Sequence, residues 1–144
     1  MKIRIIQTGK TKEKYFIDSV EEYHKRLKPY IKIEFITTKE TEDFLKFFNK
    51  DNYTVLLDEK GKELDSVQFS KIIKENINLG RNIDFVIGGQ MGFSQTLKEQ
   101  ISTGGGYILS LSKMTFTHQM IRLFLIEQIY RSICICLGKE YHVA

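Results

Sequence analysis

Apolar and polar residues follow two different rhythms along this chain. Residues 2–7 carry Ile3, Ile5 and Ile6 among polar neighbours and stop at Thr8-Gly9, the pattern of a short strand. Residues 11–28 switch to helical spacing, with Tyr15, Phe16, Val20, Tyr23 and Leu27 along one stripe. Thr11 is the expected N-cap of that helix and Pro29 lies just past its end. Residues 31–37 alternate again, and residues 42–49 read as a short helix. Residues 53–57 form a buried-type strand that ends in the turn signal Asp58-Glu59-Lys60-Gly61. Asp65 can cap a helix over 66–78 that Gly80 closes. Strands at 83–88 and 107–111 flank a short helix near 95–100, and a long helix runs from 117 to 137. Strand and helix alternate throughout, which predicts an α/β domain: a mostly parallel sheet with helices on both faces.

The long helix breaks the usual amphipathic rule. Met120, Ile121, Leu123, Phe124, Leu125, Ile126, Ile129, Ile133 and Ile135 surround it almost completely. A surface helix shows one apolar stripe, so this one is expected to be buried on two sides. One side is the sheet; the other could be a second copy of the chain, since isologous dimers are the commonest oligomers.

Composition adds bounds. A length of 144 residues fits one domain spanning the chain. No stretch approaches the roughly 20 apolar residues of a membrane span, and the apolar part of the start is too short for a signal peptide. A cytoplasmic protein with no membrane partner is the expectation. Cys134 and Cys136 stand two apart in a helix and face different ways, which argues against a disulfide. The scattered His24, His118 and His142 give no metal-binding spacing. Net charge is +4, and residues 1–30 hold 8 Lys/Arg against 4 Asp/Glu while the rest balance. That basic flank suits a polyanion or, equally, a solvated helix face.

Ligands of open α/β sheets bind beyond the carboxyl ends of strands. Three such ends carry chemistry here: Leu57-Asp58-Glu59, Gly88-Gly89-Gln90-Met91-Gly92, and Leu111-Ser112-Lys113-Met114-Thr115. Glycines at 88, 89 and 92 let backbone approach a ligand, although a plain tight turn needs them too. The polar groups of residues 110–116 could meet an adenine edge while Leu111, Met114 and Phe116 pack on its ring; an ordinary loop explains them as well. Gly9-Lys10-Thr11 lacks the upstream glycine of a phosphate loop and is set aside. Glu127 and Arg131 are spaced to pair along the long helix. His118 and Arg122 share its first turns, where a base, an RNA contact or a structural tie are all open. Tyr141-His142 at the chain's end is either frayed or able to reach a neighbouring site.

Taken together, Phe85-Val86-Ile87-Gly88-Gly89, Leu109 to Phe116, His118-Gln119, Arg122, Glu127-Gln128-Ile129-Tyr130-Arg131 and Tyr141-His142 resemble the RlmH-type (YbeA-like) family of SPOUT-class RNA methyltransferases. Gly9-Lys10 and Glu22-Tyr23 with Arg26-Leu27 extend the match along almost the whole chain. The resemblance implies a SPOUT fold whose C-terminal segment is threaded into a trefoil knot, a homodimer, and S-adenosylmethionine as cofactor. It implies methylation of N3 of a pseudouridine in 23S ribosomal RNA on the assembled ribosome, without a metal. By motif matching, cofactor contacts fall on Leu57, Gly88, Leu111, Ser112, Lys113, Met114, Thr115 and Phe116. His142, Arg122 and Tyr141 are then expected to contact RNA or handle the proton, and the basic first helix to help grip the rRNA. A SPOUT enzyme for another RNA such as tRNA, or a non-catalytic dimeric RNA- or ribosome-binding module, are the alternatives. The chain also departs from the family pattern. Thr117 replaces a proline, Gln90-Met91 replaces Pro-Glu, and the tail ends in Val143-Ala144 instead of basic residues.

Overall fold

Five parallel strands lie in the order β2-β1-β4-β3-β5 in the computed structural model, which describes residues 1–143. They are β1 (Lys2–Thr8), β2 (Lys32–Thr38), β3 (Tyr53–Glu63), β4 (Ile83–Ile87) and β5 (Tyr107–Ser110). Successive side chains of a strand point to opposite faces, so both faces must be covered. Ile5, Val55 and Phe85 pack on one side with Leu125, Ile126 and Ile129, whereas Ile6, Leu56 and Val86 pack on the other with Phe44, Phe93 and Leu97.

The helices α1 (Lys14–Leu27), α2 (Ser66–Leu79) and α4 (His118–Leu137) supply the larger layer, with α4 lying against both α1 and α2. The smaller layer is α3 (Gln95–Thr103) and a 3₁₀ turn, Thr41–Lys46, where a short helix was expected. Both expected ends of α2 are present. Asp65 accepts a hydrogen bond from the Gln68 amide, and Gly80 closes the helix at a φ of 66°, which favours glycine.

Two local expectations are corrected. Thr11 does not cap α1; Glu13 occupies the cap position, and its amide and that of Lys12 donate to Oε1 of Gln119, at 3.1 and 2.9 Å. Gln119 of α4 thus holds the segment that leads into α1 from across the molecule. Nor does β3 end at Leu57. Leu57 and Lys62 both register with Leu109 of β5, so residues 58–61 loop out of a strand that then resumes. Asp58 Oδ1 accepts from the Lys60 amide at 2.8 Å to form the turn. Gly61 lies so close to β5 that a Cβ there would fall 2.6 Å from the Ile108 carbonyl oxygen. The turn signal was real, but it marks a bulge and not a strand end.

Candidate active site

The carboxyl ends of β3, β4 and β5 open into one cleft of about 280 Å³. Leu57, Gly88, Leu111, Ser112, Met114, Thr115 and Phe116 all line it. Lys113 does not line it; its ammonium points away, 3.8 Å from Glu63. Three segments separate in sequence therefore converge because parallel strands place all their carboxyl ends at one edge.

Each wall has a local cause. After β4 the chain turns through residues 88–92, with the Gly92 amide donating to the Gly89 carbonyl at 2.9 Å and Gly92 at a φ of 68°. Ser94 then caps α3 by accepting from the Leu97 amide. After β5 the loop holds its own shape. Ser110 Oγ donates to the Ser112 carbonyl at 2.8 Å, and the Met114 amide donates to Ser112 Oγ at 3.0 Å. Two of that loop's polar groups are therefore already satisfied internally. From β3, Asp58 forms an ion pair with Lys98 of α3 at 3.2 Å, and Thr115 Oγ1 donates to Glu59. The cleft is thus apolar on its Leu57, Leu111 and Phe116 side and carries charges of both signs at its β3 rim, where Asp58 and Glu59 lie with Lys60 and Lys98.

His118, in the first turn of α4, also lines the cleft and is half-buried. Burial, then the neighbouring Arg122 cation, hold its imidazole below the ordinary histidine range. Glycine-rich turns and strand-end loops had drawn attention to the rest of the cleft; His118 was visible only as half of a helical pair.

The residues expected to act on RNA lie elsewhere. Arg122 is buried, with 4% of its surface exposed. Its Nη1 donates to Thr11 Oγ1 at 2.8 Å and its Nη2 to the Thr8 and Gly9 carbonyls at 2.7 and 2.9 Å. Burial lowers its pKa, yet a guanidinium remains charged. It ties the β1–α1 loop to α4 and offers no free donor face to RNA. That loop adjoins the cleft, since a Cβ on Gly89 would meet Thr8 Cγ2 at 3.2 Å.

Tyr141 and His142 do not line the cleft of their own chain. Tyr141 Oη donates to Glu127 at 3.1 Å, lies 3.3 Å from Tyr23 Oη, and its ring sits edge-on to Tyr130. Burial first, then these hydrogen bonds and the Glu127 charge, push its hydroxyl pKa up. Arg131 donates from Nε and Nη2 to Glu127 at 3.0 and 2.6 Å, with its Nη1 3.1 Å from His142 Nδ1.

A fold of parallel strands with a cleft at their carboxyl edge matches what the comparisons with known proteins give. A family described as "Predicted SPOUT methyltransferase" matches residues 1–142. The chain belongs to the SPOUT methyltransferase family. It is similar to ribosomal RNA large subunit methyltransferase H of Caldicellulosiruptor bescii, at 40% identity over 157 residues, covering 97% of this chain and 99% of that one. The protein of the same description from Halothermothrix orenii is 42% identical over 163 residues, covering 99% of each. Among solved structures, the ribosomal RNA small subunit methyltransferase E of Neisseria gonorrhoeae, bound to S-adenosyl methionine, matches at a TM-score of 0.55 and 14% identity. That match covers 91% of this chain but 66% of the Neisseria chain, and it carries the fold alone.

This SPOUT methyltransferase departs from the family pattern in ways the structure makes plain. Thr117 caps α4, its side chain accepting from the Met120 amide, so the helix starts cleanly without the proline. Met91, in place of the acidic residue, is 95% exposed at the lip of the cleft. The basic flank is also narrower than composition suggested. Lys2, Arg4, Lys14 and Arg26 are paired with carboxylates, whereas among the described residues Lys10, Lys12, Lys25 and Lys28 form no ion pair. Among the described residues no helix is long and apolar enough to cross a membrane.

Proposed function

We propose that this chain is a cytoplasmic enzyme that methylates N3 of a pseudouridine in large-subunit ribosomal RNA, on the assembled ribosome, using S-adenosylmethionine. The observation that carries the reading is the convergence of the three strand ends in one cleft, next to the full-length likeness to large subunit methyltransferases. The residues present suit the cofactor. A cleft of about 280 Å³ is near the small end of ligand pockets. Leu57, Leu111 and Phe116 offer apolar walls to an adenine ring, and the exposed Glu59 carboxylate offers negative charge to an ammonium. When bound, the cofactor supplies an electrophilic methyl group.

The protein's contribution is orientation. Gly88 and the self-braced loop 110–114 fix where the ligand sits, and holding two reactants in line is worth several orders of magnitude in rate. Lys10 and Lys12, on the loop that Arg122 holds beside Gly89, are placed to meet RNA phosphates.

The site is completed in this reading by a second copy. Met120 and Phe124 remain 40% and 37% exposed on the outer face of α4, and Phe116 stacks edge-on to Phe124 at 5.2 Å. Pairing of two chains over this face would bring one tail, Tyr141-His142, toward the other's cleft. Sedimentation of the protein against a Met120→Glu/Phe124→Glu variant tests the pairing: a dimer that becomes a monomer is expected.

The test of function uses ribosomes from a strain lacking the gene. They are expected to lack one N3-methyl group, located by mass spectrometry, and to regain it with purified protein and S-adenosylmethionine. Unchanged methylation in that strain overturns the reading.

A further inference from the structure

We propose that His118 takes the N3 proton of the target base as the methyl group is transferred; this rests on the function proposed above. The titratable residues lining the cleft are Asp58, Glu59, Lys60, Lys98 and His118. The lysines are cations at neutral pH and cannot accept a proton. Asp58 is held by the Lys98 ammonium at 3.2 Å and by the Lys60 amide at 2.8 Å. Glu59 accepts the Thr115 hydroxyl and stands exposed at the rim. His118 is half-buried in the wall that Gly88 also lines. In the neutral ring one nitrogen carries the proton and the other is an acceptor.

The charged groups that face His118 favour that state. Burial first, and then Arg122, a fixed cation one turn along α4, disfavour the charged imidazole. The acids Asp58 and Glu59 come from β3 and are engaged as described. A weak base is enough. N3 becomes strongly acidic as its electron pair forms the bond to the methyl carbon, while the carbon–sulfur bond breaks and its electron pair stays on sulfur. The N3 proton passes to the free nitrogen of His118 and from there to solvent. Of the three residues expected from sequence, Arg122 is a buried cation, and Tyr141 and His142 are engaged by Glu127, Tyr23 and Arg131 away from their own cleft. If a partner's tail takes the proton instead, His142→Gln reproduces the loss of rate and of the acid limb and His118→Gln does not, which overturns the proposal.

The discriminating variant is His118→Gln, whose side-chain amide keeps a polar group in the wall but does not titrate. With ribosomes as substrate, single-turnover transfer is expected to fall by about 100-fold. The acid limb of the wild-type pH–rate profile should disappear with it. S-adenosylmethionine affinity, measured by calorimetry without RNA, should stay within about threefold. In the cofactor-loaded wild type, nitrogen-detected NMR should show His118 neutral at pH 7 with one protonated ring nitrogen. An unchanged rate and profile in His118→Gln, or a doubly protonated His118 at pH 7, overturns the proposal. So does a parallel loss of cofactor affinity, which would make His118 only a structural part of the wall, or the same rate loss in Glu59→Gln with His118→Gln unaffected. Failure of the wild-type protein to methylate ribosomes would instead defeat the underlying function.

Discussion

The two ends of α4 carry similar chemistry and use it in opposite ways. At its start, His118 faces an open cleft beside backbone and apolar walls. At its far end, Glu127, Arg131, Tyr141, Tyr23 and His142 are engaged with one another. Polar side chains that satisfy each other hold structure, whereas those left facing a cleft are free to act on something else. A histidine is therefore judged by what its ring still lacks, and His118 lacks more than His142. Arg122 sits between the two regimes. It touches no part of the cleft, yet it fixes the loop next to it.

The difference is sharpest at Arg122. Arg122→Met leaves the Thr8 and Gly9 carbonyls without their partner, and it should lower stability by about 3 kcal/mol in urea unfolding. Faster amide exchange at residues 9–13 should accompany the loss. A wild-type unfolding curve would mean that the tie is ornamental. Leu111→Ala, in the half-buried cleft wall, should instead leave stability nearly unchanged. It should weaken S-adenosylmethionine binding about tenfold, or about 1.4 kcal/mol, by calorimetry.

At the far end the expected pattern is reversed. Glu127→Gln removes the partner of Arg131 and should cost about 1 kcal/mol of stability, with cofactor affinity intact in the same calorimetric assay. Tyr141→Phe should have the smallest effect at neutral pH and shows itself in alkali. The folded Tyr141 hydroxyl titrates above the ordinary tyrosine value of about 10, so the folded state holds its proton longer than the unfolded chain. Its stabilisation is complete below that value and falls as pH rises through the higher folded one. The variant should therefore show a shallower decline of stability above about pH 10.

Much of this layout was legible in sequence because it is local. The helix capped by Asp65 and closed by Gly80, the glycine turn at 88–92 and the three strand ends that meet in the cleft each follow from neighbours a few residues apart. What was not legible joins distant segments. Gln119 holds the amides that lead into a helix more than 100 residues upstream, and Arg122 engages Thr11, the expected cap, by donating to its hydroxyl. The excursion at residues 58–61 needed knowledge of β5, since only the neighbouring strand tells a bulge from an end. The direction of the Lys113 side chain was not legible either, because Glu63, toward which it points, is 50 positions away in sequence.

The tie between Arg122 and the Thr8 and Gly9 carbonyls spans 114 and 113 positions of the chain. Closing so long a loop is slow and comes after the local pieces have formed. The β1–α1 loop can therefore be held beside the cleft only after the last helix has docked. During refolding, cofactor binding should lag behind the recovery of helix and sheet. A chain interrupted before α4 would lack Leu125, Ile126 and Ile129 from its core and the last wall of its cleft, so that the enzyme's activity reports on completion of the whole fold.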